Sequence, residues 1–289
     1  MESFYQTAHT DPMLIVIKGA GDIASGISFR LWHAGFDIVM TEIAEPLAVR
    51  RTVSFSQAVY QGEVVVEDVT AVLVKDKSQI RDVIAKKQIA VIVDPAAAII
   101  NKLKDSGEPP AVLVDAIMAK KNTGTSLGDA PVVIAAGPGF IAGIDCHAVI
   151  ETMRGHTLGR VITKGSALPY TGTPGEIDGV SVQRLLRCGA DGIFQTLVEI
   201  GSSVKKGDAV ALVRSAGSDS AAGDMPILAG INGIVRGLLP SGVKVTKGLK
   251  AGDIDPRCET HNCFTVSDKA LAIGGAVLEA ILCFYPLKK

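Results

Sequence analysis

The sequence predicts an α/β protein with a Rossmann-like, mostly parallel sheet and an inserted all-β module of the lipoyl/biotinyl-like, barrel-sandwich hybrid type. Three observations predict it. A strand, a glycine turn, a helix and a second strand follow one another in VIKGAGDIASGISFRLWHAGFDIVMTE, Val16 to Glu42. Strand and helix patterns then alternate as far as Ala135. A segment of the second half, Gly192 to Gly207, recurs at Gly233 to Gly248.

In the opening unit, Ile15 to Ile17 is an apolar run of the kind that forms a buried strand, and Gly19 and Gly21 follow at once. Asp22 to Trp32 mixes apolar with small residues, which predicts a helix pressed on a sheet through its Gly26 face. Gly19 suits the tight turn, Gly21 lets a phosphate approach the backbone, and Ala24 takes the third position of GxGxxG/A. The second strand, Asp37 to Thr41, ends on Glu42, 21 positions after Gly21, where such units hold a ribose-gripping carboxylate. Asp22 competes with a phosphate for the helix amides, whereas Arg50 and Arg51 supply cations for one.

The alternation continues with a hairpin, Glu63 to Glu67 and Ala71 to Val74. Next come a helix at Ser78 to Lys87, a strand at Ala90 to Val93, a helix at Ala96 to Lys104, and strands at Ala111 to Val114 and Val132 to Ala135. The strands end at Asp94-Pro95, Asp115 and Gly137-Pro138-Gly139, and ligands of open α/β sheets bind beyond strand carboxyl ends. Asp94, Gly137 and Gly139 are therefore candidate ligand contacts. Asp94 and Asp115 serve equally well as caps of the following segments.

Two β-rich runs, His147 to Thr152 and Leu158 to Thr163, predict a hairpin with a polar tip at Met153 to His156. Asp145, His147 and Glu151 share a face by the period of two, and with His156 they are the candidate acid, base or metal-binding groups. Arg154, with Arg160 and Lys164, offers cationic contacts for an anion. Cys258, His261 and Cys263 lie close together but lack the second ligand pair of a zinc site, so no metal is assigned.

The repeat at Gly192 and Gly233 keeps a constant offset of 41 residues, pairing Leu197 with Leu238, Val204 with Val245 and Gly207 with Gly248. Two such units predict a pseudo-twofold sandwich. A carrier domain of this type needs a lysine between its halves, and none lies between Lys206 and Lys244, so neither covalent lipoyl nor biotin is expected. Ser267 reads as the N-cap of a last helix that contains Gly274 and Gly275. The predicted organisation is a flexible extension at 1–12, an α/β domain at 13–165 plus 266–289, and the β module at 166–265.

Composition narrows the function. The chain has 289 residues, a net charge of −1 and no basic block, which argues against nucleic acid as a partner. No apolar run reaches the roughly 18 residues of a membrane span. The N-terminal MESFYQTAHTDP has no signal-peptide pattern, and five scattered cysteines suit a cytoplasmic setting.

Five blocks in order, KGAGDIASG, EPLAVRRTVSFSQAVYQGEVVVEDV, GPGFIAGIDCHAVIETMRGHTLGRVI, GTPGEIDG and DIDPRCETHNCFTVSDKALAIGGAVLEAIL, give the chain a resemblance from Leu14 to Leu282 to the YqeB-type family. The resemblance implies an accessory or maturation factor of selenium-dependent molybdenum hydroxylases of the xanthine dehydrogenase class, with the hydroxylase apoprotein as partner. It also implies that the crevice takes a molybdenum-pterin dinucleotide, a nucleotide joined through pyrophosphate. No catalytic residue transfers from it. An NAD(P)-dependent oxidoreductase of a small substrate and a non-enzymatic docking scaffold are the alternatives, and homo-oligomerisation is left open.

Overall fold

Strand β1 (Leu14–Lys18) carries the apolar run LIVIK to the interior and stops at the glycine turn, where α1 (Asp22–His33) begins. The computed structural model describes residues 13–172, 175–176, 178–215 and 224–285. The extension expected at 1–12, and parts of the GTPGEIDG block at 173, 174 and 177, lie outside the described residues. The chain divides into two units, one of 1–46, 55–171 and 266–289, the other of 47–54 and 172–265.

The first unit continues through β2 (Asp37–Glu42), α2 (Ala58–Gln61), β3 (Glu63–Val66), β4 (Val69–Val74), α3 (Ile80–Ala85) and β5 (Ile89–Val93). It proceeds through α4 (Ile99–Asp105), β6 (Val112–Asp115), β7 (Val132–Ala136), β8 (Ala148–Ile150) and β9 (Val161–Ile162). Its nine-stranded sheet has the order β3-β4-β5-β2-β1-β6-β7-β8-β9. From β4 to β8 neighbouring strands are parallel, while β3 with β4 and β8 with β9 are antiparallel. The near-continuous apolar sequences of β1, β5, β6 and β7 follow from burial on both faces.

The expected Rossmann-like architecture is corrected here. The sheet is mixed, with an antiparallel strand at each edge. Helices also do not alternate with strands throughout. The connection from β6 to β7 holds a single 3₁₀ turn, Leu127–Asp129, and no helix joins β7 to β8. Composition gives the reason: Gly124, Gly128 and Pro131 punctuate the first connection, and Gly137, Pro138, Gly139 and Gly143 the second.

The second unit is two four-stranded antiparallel sheets, which corrects the expected single barrel-sandwich insertion. One consists of β10 (Leu185–Arg187), β17 (Lys250–Asp255), β15 (Gly233–Leu238) and β12 (Ser203–Val204), in that order. The other consists of β14 (Met225–Leu228), β13 (Ala209–Arg214), β11 (Gly192–Thr196) and β16 (Lys244–Val245). It also recruits Leu47–Ser54, which nothing in the local sequence announces. The Leu238 amide donates to the Val49 carbonyl at 2.7 Å, and Arg50 donates to the carbonyls of Asn262 and Thr265.

The sequence repeat becomes a symmetry of pairing. Ile193 faces Arg214 and Ile234 faces Asp255, which is the same pairing one repeat later. Each repeat then lends its short strand to the other, Lys244 pairing with Ile193 and Ser203 with Ile234. Gly192 and Gly233 sit at these crossings with φ of 157° and 158°, and a β-carbon on either would run into the carbonyl oxygen of Arg214 or Asp255. No other residue fits there. The interior packs Phe194, Val210, Val235, Leu238 and Ile254.

Ion pairs to buried carboxylates brace the first of these sheets. Arg184 donates to Asp253 at 2.9 Å, and Arg257 grips Asp255 through two nitrogens at 2.9 and 2.6 Å. Burial alone would push the Asp255 carboxyl up, but the Arg257 hydrogen bonds and the charges of Arg257 and Arg236 hold it below the usual carboxylate value.

Candidate functional site

In the first unit, the strands' carboxyl ends gather the polar groups. Gly19 adopts φ +91°, and a β-carbon there would press on the Ala116 carbonyl at 3.1 Å and on Ile117 Cα at 3.2 Å. Glycine is needed so that the turn can lie against the strand end of β6. Gly21 differs: its φ of −73° suits any residue, and nothing lies within 4 Å of the position a β-carbon would take. The space before it is open. Gly21 is also the N-cap of α1 and brings no side chain to that end of the helix, while the Ala20 amide just before it is held by Glu42. An open helix N-terminus of this kind is one a phosphate can approach.

A second helix brings its N-terminus to the same edge. α5 (Asp268–Phe284), capped by Ser267, packs along α1 through glycines. Gly26 lies against Ala270, and Gly274 against the Gly26 carbonyl and Arg30, so the helices run parallel. Their dipoles therefore point the same way, and both positive ends face the carboxyl edge. Lys269, in the first turn of α5, adds a cation. Burial and nearby Arg154 push its ammonium below the usual lysine value, with Asp22, Glu151 and Asp268 pulling the other way. Ala24 is buried and seats α1 on the sheet.

Beneath the turn lies a buried network that the sequence did not single out as a unit. Lys18, the last residue of β1, donates to Thr125 Oγ1 at 2.7 Å and lies 3.3 Å from Asp115, the last residue of β6. Thr125 donates to the same Asp115 carboxylate at 2.6 Å. Asn122 extends the chain of bonds to the Thr125 carbonyl and to Asp145 at 3.2 Å. The signal available in sequence was a charged residue ending each of two otherwise apolar strands.

The remaining candidates divide. Glu42 ties down the turn: its oxygens accept from the amides of Ala20 at 2.9 Å and Ile43 at 2.8 Å. Asp94 accepts from the Ile99 amide at 2.7 Å and so stands at the start of α4. Gly137 and Gly139, at φ +82° and +109°, answer to packing, the first against Thr152 and the second against the Lys120-Lys121 backbone. Arg154 forms two hydrogen bonds to Asp268, at 2.9 and 3.0 Å.

Two groupings expected from spacing are placed as follows. Arg50 and Arg51 belong to the second unit, where Arg50 binds the Asn262 and Thr265 carbonyls and Arg51 binds the Leu238 carbonyl and Glu199. Those acceptors engage them there. Asp145, His147 and Glu151 do not form one strand face, because β8 covers only Ala148–Ile150. Asp145 instead accepts from the Ile141 amide, and His147 Nδ1 from the Val133 amide at 2.9 Å. Glu151 is buried and clamps the amides of Met153 and Leu168. His156 is exposed at the tip. Among the described residues no group of three or more His, Cys, Asp and Glu is placed to hold a metal ion, and no helix is long and apolar enough to cross a membrane.

Fold and site together define an α/β unit with a polar, helix-flanked carboxyl edge, joined in one chain to a pseudo-symmetric β unit. In sequence the chain is 49% identical over 269 residues to the Escherichia coli (strain K12) protein called "Uncharacterized protein YqeB". It is thus a relative of YqeB. The match takes in 93% of this chain but 47% of YqeB, so the chain spans about half the length of that relative. No family model matches.

Three solved structures give distant likenesses. An aspartoacylase family protein from Mesorhizobium loti is 14% identical, with 84% of each chain covered and a TM-score of 0.27. A succinylglutamate desuccinylase/aspartoacylase from Rhodobacter sphaeroides is 10% identical over 84% of this chain and 85% of its own, at 0.28. The ectoine utilization protein EutE (DoeB) from Ruegeria pomeroyi is 13% identical over 76% and 58%, at 0.25. Scores this low carry no argument about chemistry.

Proposed function

We propose that the chain is the ligand-binding part of an accessory factor for selenium-dependent molybdenum hydroxylases, and that it holds a phosphate-bearing nucleotide, a molybdenum-pterin dinucleotide in the first place, at the carboxyl edge of the nine-stranded sheet. The single observation that carries the ligand half is the glycine turn at Gly21, open where a β-carbon would stand, beside a second helix N-terminus. The hydroxylase half rests on the family resemblance of the sequence blocks.

When bound, such a group supplies the molybdenum-pterin chemistry of the hydroxylase, and the chain's residues supply the grip. The amides of the α1 first turn meet the pyrophosphate, and the parallel dipole of α5 with Lys269 adds positive potential. Glu42 and the Lys18–Asp115–Thr125 network hold the turn's shape without touching the phosphate.

The test is calorimetric titration with cytidine diphosphate as probe. Saturable binding by the wild type, lost in Gly21→Asp, is the expected result. Equal binding by both proteins would remove the glycine turn from the account, and absence of binding by either would favour the docking scaffold.

A further inference from the structure

Buried polar side chains of the first unit find partners close at hand. Ser25 Oγ donates to the Ala20 carbonyl at 3.0 Å, Ser28 Oγ to the Ala24 carbonyl at 2.8 Å, and Thr125 Oγ1 to Asp115 at 2.6 Å. Among the described residues of this unit, the buried side-chain atoms without a hydrogen-bond partner are Ser56 Oγ and Gln57 Nε2. The two residues are adjacent in sequence and 0% and 5% exposed. A buried donor left without a partner forfeits its hydration for nothing, so two of them side by side call for a cause.

Their place in the fold supplies one. The Ser56 amide donates to the Ala20 carbonyl at 2.8 Å, and that carbonyl belongs to the peptide joining Ala20 to Gly21. The Phe55 amide donates to Ser25 Oγ, also at 2.8 Å. The short 3₁₀ turn Phe55–Gln57 is thus pinned by two backbone amides to the glycine turn and the first turn of α1. The Ser56 hydroxyl stands one side-chain length from that anchor, and it swings among staggered positions about a single bond without disturbing either amide. Both unused donors therefore belong to the helix N-terminus that is open where a β-carbon on Gly21 would stand.

The chemistry of the pair selects the ligand group. A hydroxyl and a carboxamide nitrogen each offer a proton, and neither brings a charge. At the positive end of α1 such donors suit the oxygens of an anion, which a phosphate supplies in number. Folding has already stripped both groups of water, so a ligand oxygen meets them with little further desolvation on the protein side.

We infer that Ser56 and Gln57 are side-chain phosphate contacts of the first unit, the Ser56 hydroxyl and the Gln57 carboxamide donating to phosphate oxygens at the Gly21 turn. The inference rests on the ligand site proposed above and deepens it, adding two side chains to a grip made of helix amides and the charge of Lys269.

The experiment is calorimetric titration of the wild type, Ser56→Ala and Gln57→Met with cytidine diphosphate and with inorganic pyrophosphate, alongside thermal melting of each protein without ligand. Each variant is expected to bind both probes about ten- to a hundredfold more weakly, as loss of a hydrogen bond to a charged group implies. Each is also expected to melt at or above the wild-type temperature, because the substitution removes a buried donor that has no partner in the fold. Wild-type affinity in either variant would overturn the inference and leave the Gly21 site standing, whereas a wild type that binds neither probe would overturn both. Weakened cytidine diphosphate with unchanged pyrophosphate would move the pair to the sugar or base and overturn the phosphate contact. A melting temperature lowered in both variants would show that the pair serves the fold instead, and that result too would overturn it.

Discussion

Gly26 and Ala270 touch so closely that a β-carbon on Gly26 would overlap that of Ala270. This contact lets α1 and α5 run side by side and brings both N-termini to one edge of the sheet. Gly26→Leu should therefore destabilise the fold by about 1 to 3 kcal/mol or more, as overpacking does. Denaturant unfolding checks this, and an unchanged midpoint would show that the helices are free to separate.

Gly21→Asp should separate ligand binding from stability. Its backbone angles and the open space suit a side chain, and aspartate is a good N-cap, so stability should hold or rise by a few tenths of a kcal/mol. The added carboxylate meanwhile competes for the amides a phosphate would use. Thermal melting with and without cytidine diphosphate reads both effects.

Lys18 and Asp115 form a buried pair with side-chain exposures of 7% and 2%. Lys18→Met leaves the Asp115 charge without its partner, and breaking such a pair costs about 3 to 5 kcal/mol. Lys18→Met combined with Asp115→Leu should be less destabilised than Lys18→Met alone, as measured by urea unfolding of the three proteins. A double variant as unstable as the sum of both losses would deny the coupling.

Cysteine labelling should split the five thiols. Cys258 and Cys283 are exposed, whereas Cys146, Cys188 and Cys263 are buried. Burial, with Asp145 beside it, pushes the Cys146 thiol up to about 12. Iodoacetamide at pH 8 should therefore modify Cys258 and Cys283 in the folded protein and all five after denaturation. Mass spectrometry of peptides reads the pattern, and rapid labelling of native Cys146 would contradict its placement.

Asp255 should appear in the acid limb of stability. Its folded-state pKa lies below its unfolded value, so the folded state binds fewer protons in that window. The contribution is present above the unfolded value and is lost as pH falls through the folded one. Asp255→Asn should be less stable than wild type at pH 7, and the gap should narrow below about pH 4. A gap that stays constant with pH would exclude the Arg257–Asp255 pair as its source.

Local patterns in the sequence carried much of this architecture, and long-range ones did not. The turn at Gly19 to Gly21, the hairpin at Glu63 to Val74 and the offset between Gly192 and Gly233 were legible because each depends on neighbours or on self-similarity. The mixed sheet was not, since strand direction at an edge depends on partners far along the chain. For the same reason Arg50 and Arg51, only eight and nine positions after Glu42, belong to the other unit. Spacing put Asp145, His147 and Glu151 on one face, but β8 is too short to keep them in register. The Lys18–Asp115–Thr125 network joins residues as many as 107 positions apart, and no local pattern reports it.

The most direct test is mass spectrometry of small molecules released by denaturing the protein after purification from cells that make molybdenum cofactor, with Gly21→Asp treated alike. The account predicts a pterin dinucleotide from the wild type and none from the variant. Recovery of NAD(P), or of nothing from a wild type prepared under those conditions, would contradict it.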